Sequence, residues 1–172
     1  MDSVEKYLAN YSGDSVASIA FAWNGKHAAE FVDSNLEFRR AVIQYVLTQL
    51  PETPLIIIKD LFRAEAAFAK EAWGVNRDLH MLGQELLTRG RTLYFQDFLL
   101  GATSSFDTLL ECGNISIEPS LKKELADYCK SQIAEATNGS SSMWEYGLEK
   151  FSYVPPEKLS RKNWLLRLFG RN

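Results

Sequence analysis

Thr53 to Gly74, TPLIIIKDLFRAEAAFAKEAWG, is the run that most limits what this chain can fold into. Thr53 offers a hydroxyl to cap a helix, and Pro54 suits the first helical position, where a missing N–H costs nothing. Gly74 is a natural stop after Trp73. The helix expected over 54–73 has 20 residues, roughly 30 Å at 1.5 Å per residue. At about 100° per residue, Ile57, Ile58, Leu61, Ala64, Phe68 and Ala72 share one face, and Lys59, Arg63 and Lys70 gather opposite. Leu55 and Ile56 make the N-terminal half apolar nearly all round, as in a helix enclosed by others. This is the expected central helix of an all-α domain.

The flanking sequence supplies further helices joined by short loops. Ser3 caps a short one through Tyr11. Ser34 and Glu37 have capping-box spacing ahead of Leu36, Phe38, Val42, Tyr45 and Val46, with Pro51 as the stop. Asn76 opens a helix carrying Leu79, Leu82 and Leu86, and Arg91 another carrying Phe95, Phe98 and Leu99. Ser104 and Asp107 mark the next start, Pro119 a long amphipathic helix, and Ser142 with Glu145 a last capping box. Residues 16–32 are ambiguous. Val16, Ile19, Ala20 and Trp23 have helical spacing, and Lys26 to Val32 continues in that style, so a helix is the preferred reading. Asn24-Gly25, however, offers the turn of a small hairpin near 19–32. The expectation is a single compact domain of seven to nine helices over 1–154. A Pro-Pro linker and a basic amphipathic helix follow over 155–172.

Charge narrows the partners. The 172-residue chain carries a net charge of -3, which disfavours a nucleic-acid groove. From Lys158 to Asn172 there are five basic residues and no acidic ones, so the remainder stands at -8. Only Cys112 and Cys129 are present, and the N-terminus MDSVEKY is not a secretory leader. No apolar run approaches the roughly 18 to 20 residues that span a bilayer. Those features predict a cytoplasmic protein with reduced thiols.

No motif in the sequence states a chemistry. Glu65 falls inside the apolar face of the central helix, where a carboxylate would be desolvated, as in some catalytic acids. The plainer reading is an ion pair with an arginine from a neighbouring helix. His27 and His80 lack the spacing of metal ligands and read as boundary or surface residues. Cys112 reads as core. No catalytic residue, metal ligand or cofactor site is predicted.

The function expected is therefore a non-catalytic protein-binding module, its acidic body meeting a basic protein partner. In class, size and acidity it resembles small helical proteins that neutralise a toxin or effector, such as immunity proteins, although no residue motif carries that likeness. Exposed acidic and aromatic residues, Asp127, Glu135, Glu145 and Tyr146, are the expected contacts. A first alternative is a peripheral membrane adaptor. In the C-terminal helix Trp164, Leu165, Leu168 and Phe169 share one face, and Arg161, Lys162 and Arg167 stay polar, which suits weak contact with an anionic membrane. A second alternative is a small hydrolase or transferase built around Glu65 with His80 or Asp78.

Overall fold

The central helix forms where its periodicity places it, with both ends set differently from the expectation. In the computed structural model, which describes residues 2–135 and 142–152, the helix α3 spans Leu55–Ala72. Pro54 sits at the cap with φ -56° and ψ 132°. Thr53 does not cap forward: its hydroxyl donates back to the Gln49 carbonyl at 3.0 Å. At the other end Trp73, not Gly74, leaves the helix in the left-handed conformation, φ 55° and ψ 44°.

The described residues are all-α. They form α1 (Asp2–Ala9), α2 (Leu36–Leu47), α3, α4 (Leu79–Thr88), α5 (Phe95–Ala102), α6 (Phe106–Gly113), α7 (Pro119–Glu135) and α8 (Ser142–Phe151). Short 3-10 turns occupy Gly13–Ser18 and Ala28–Glu30. The chain divides into two compact units, Met1–Glu118 and Pro119–Asn172. The domain expected over 1–154 thus runs across both. Sixteen acidic and ten basic side chains give the first unit a net -6, and six acidic and nine basic give the second +3.

In the first unit α3 packs against α4, α5 and α6. Ile57, Ile58, Leu61, Phe62 and Ala66 of α3 are buried together with Leu82 and Leu86 of α4 and Phe95 and Phe98 of α5. The Phe62 and Phe98 rings stack with centroids 5.7 Å apart. Gly101 makes the approach of α5 to α3 feasible, because a Cβ there would lie 2.4 Å from the Phe62 ring. In the second unit α7 and α8 pack on each other, and Tyr128 meets Trp144 edge-on at 5.8 Å.

Residues 16–33 correct the helix preferred from the sequence. Beyond the turn at Gly13–Ser18, this stretch is a loop closed by one antiparallel bridge, Trp23 to Asp33, without a ladder. Its order comes from side chains bonding the backbone, which competes with helix formation. Asn24 Nδ2 donates to the Glu30 carbonyl at 2.7 Å, and its Oδ1 accepts the N–H groups of Lys26 and Val32. Asp33 Oδ1 accepts from Ala22 at 3.0 Å and from Asn35 at 3.1 Å.

Candidate functional site: an aromatic cleft at the end of the central helix

The loop is fixed to the helical body by one buried arginine. Arg39 of α2 donates through Nη2 to Asp33 at 2.7 Å and through Nε to Glu65 of α3 at 2.5 Å. All three side chains are wholly inaccessible. Arg39 is therefore the neighbouring-helix arginine that the plainer reading of Glu65 requires, and it seals the carboxylate from solvent. Glu65 Oε2 has no hydrogen bond, and Arg40 Nε lies 3.9 Å from it. Burial alone would raise the Asp33 carboxyl, but the Arg39 guanidinium and the Ala22 and Asn35 N–H groups outweigh it and hold it below the usual range.

With the loop so placed, its aromatic residues pack on the C-terminal part of α3. Phe31 meets Phe68 edge-on at 5.6 Å, and Phe21 meets the same ring at 6.2 Å. Trp23 lies 6.3 Å from Phe31 and 4.8 Å from His27, and its indole N–H donates to the Lys26 carbonyl at 2.8 Å. Beside this cluster, His27, Ala28, Phe31, Phe68, Glu71, Ala72 and Trp73 line a cleft of about 630 Å³. That volume lies in the range of small-ligand sites, roughly 300–1,000 Å³.

Two features of the cleft are costly to the fold. Ala28 and Trp73, both lining it, have φ of 55°, a conformation unfavourable for any residue with a Cβ. Trp73 is also 89% exposed, although Gly74, which tolerates a positive φ without penalty, is the next residue. Strained backbone and a large exposed indole at one place are the pattern of a recognition site rather than of packing. Glu71 is the one acidic lining residue, half-buried, and it has no ion pair among the described residues.

The residues singled out from the sequence lie elsewhere. Asp127 is exposed on α7 and bonded to Lys130 at 2.8 Å, with Lys123 at 3.9 Å; the Lys130 hydrogen bond and charge hold its carboxyl below the usual range. Glu135 is exposed at the end of α7, Glu145 is exposed in the first turn of α8, and Tyr146 is half-buried beside it. Arg161, Lys162, Trp164, Leu165, Arg167, Leu168 and Phe169 lie outside the described residues. The residues of the second alternative find separate partners. His80 Nδ1 bonds Glu111 at 2.6 Å and the Arg77 carbonyl at 2.8 Å, and Asp78 accepts from Gln44 at 2.9 Å. Among the described residues no cluster of His, Cys, Asp and Glu is arranged to hold a metal, and no helix is long and apolar enough to cross a membrane.

Sequence reasoning did not find the cleft. Phe68 reads as core and Trp73 as the last residue of a helix, because neither a left-handed turn nor exposure leaves a mark in apolar periodicity. The available signal was density: Phe21, Trp23, Phe31, Phe68 and Trp73 surround a stretch with ambiguous secondary structure. No family model matches the chain, and no curated protein and no solved structure matches it either.

Proposed function

We propose that this protein is a non-catalytic protein-binding module that recognises its partner through the aromatic cleft of the first unit. The observation that carries the reading is Trp73, an indole 89% exposed on a strained residue at the edge of that cleft. Interface anchors are characteristically aromatic side chains beside pockets, surrounded by polar residues. The net -6 of the unit favours a basic partner through complementary potential and faster encounter. Neutralisation of a basic toxin or effector is one task such a module performs. A cytoplasmic setting, where the two buried cysteine thiols stay reduced, accords with this role.

The membrane-adaptor reading rests on the amphipathic pattern of residues 160–172. The two are separated by capture from a lysate of the cells that make the protein, using the full chain and a variant ending at Pro156. The binding-module reading expects one stoichiometric protein retained by both. A partner or lipid fraction held only by the full chain would move the function to the tail.

A further inference from the structure

We infer that the group received by the cleft is a cation, an arginine or lysine side chain presented by the partner. This rests on the cleft being the recognition site and adds what that site selects.

Three observations support a cation over a neutral apolar group. Trp73, Phe31 and Phe68 line the space, and aromatic rings attract cations through the negative part of their quadrupole. Glu71 stands among them half-buried and without an ion pair among the described residues. A purely apolar guest would desolvate that carboxylate and leave it uncompensated, whereas a guanidinium or ammonium would pair with it. Three nearby cations, finally, are already answered. Arg39 is held by Asp33 and Glu65, Lys26 by Glu30, and Arg40 lies 3.9 Å from Glu65. Arg40 also sits over the Phe68 ring at 5.0 Å without lining the cleft, so the ring accepts a guanidinium in this chain while the cleft stays open. Among the described residues Glu71 is thus an unpaired carboxylate lining an aromatic cleft, with the exposed Lys70 beside it in sequence lying outside that lining.

The test is an NMR titration of the full ¹⁵N-labelled chain with two small probes, N-acetyl-arginine methylamide and its neutral counterpart N-acetyl-norleucine methylamide. The Trp73 indole N–H, assigned with a Trp73→Phe sample, is followed together with the Phe31 and Ala72 amides. The arginine probe should shift these signals and saturate at a concentration roughly tenfold lower than the neutral probe. Glu71→Gln should remove that advantage while leaving the rest of the spectrum in place. Equal binding of the two probes, or an arginine advantage that persists in Glu71→Gln, would overturn the assignment of a cation and leave the cleft standing as an apolar site. Absence of any shift at the cleft with either probe would overturn both the cation and the cleft.

Discussion

Arg39 and Glu65 form an ion pair with no solvent access, Nε to Oε1 at 2.5 Å, and the same guanidinium reaches Asp33 at 2.7 Å. One side chain thereby joins α2, α3 and the loop that carries the cleft wall. Arg39→Ala would leave Asp33 buried without its counter-charge and Glu65 with only the more distant Arg40, a change that costs about 3–5 kcal/mol. Arg40 is adjacent in sequence but 44% exposed and 3.9 Å from Glu65, so Arg40→Ala should cost under about 1 kcal/mol. Urea denaturation of the two variants checks the contrast. Equal effects would mean that the buried pair is not what holds the loop.

Trp73→Gly should stabilise the protein. The substitution removes a strained positive φ and little packing, since the indole is 89% exposed. A gain of about 1 kcal/mol is expected, which raises Tm by roughly 2–4 °C in a chain of this size. Thermal unfolding followed by circular dichroism measures it. A fall in Tm would show that Trp73 serves the fold.

Gly101→Ala tests the closest approach in the core. Its Cβ would meet the buried Phe62 ring at 2.4 Å, and overpacking of this kind costs about 1–3 kcal/mol. A lowered urea midpoint with unchanged m-value is the expected readout.

Acid should undo the loop anchor through Asp33. Its folded pKa is depressed, so its contribution is present above the unfolded value, near 3.9, and is lost as pH falls through the folded one. Stability should therefore be insensitive to Asp33 between pH 7 and about 5 and decline below about 4, and Asp33→Asn should flatten that decline. Urea midpoints across pH 2.5–7 give the comparison.

Cys129 is buried, and that burial pushes its thiol up to about 11. At pH 8 its labelling by a disulfide reagent should be roughly hundredfold slower in the native protein than in urea, because the thiolate is the reacting species. Native labelling as fast as that in urea would show that this part of α7 opens freely.

What the sequence made legible follows from how each feature is encoded. The central helix announces itself because its apolar face repeats over 18 residues, and α7 because Pro119 both starts it and tolerates the first turn. The caps lie a residue or two from Thr53, Ser34 and Asn76, at Pro54, Asn35 and Asp78, because Thr53 bonds back to the Gln49 carbonyl and Asn76 spends its Oδ1 on the Asp78 N–H before the helix begins. The loop over 19–33 reads as helix or small hairpin from its sequence because its order lies in Asn24 and Asp33 side chains bonding backbone groups up to 11 residues away. Glu65 was visible as an anomaly, but its partner lies 26 positions earlier and no local pattern links them. The cleft was invisible for the same reason: it exists only once that loop is pinned against the end of α3.

The most direct test of the cleft as recognition site is capture of the partner by Trp73→Gly alongside the unsubstituted chain. This variant is expected to be the more stable of the two, so loss of binding could not be laid to unfolding. The account expects a stoichiometric partner on the unsubstituted chain and its absence from Trp73→Gly. The same partner retained in equal amount by both would contradict it.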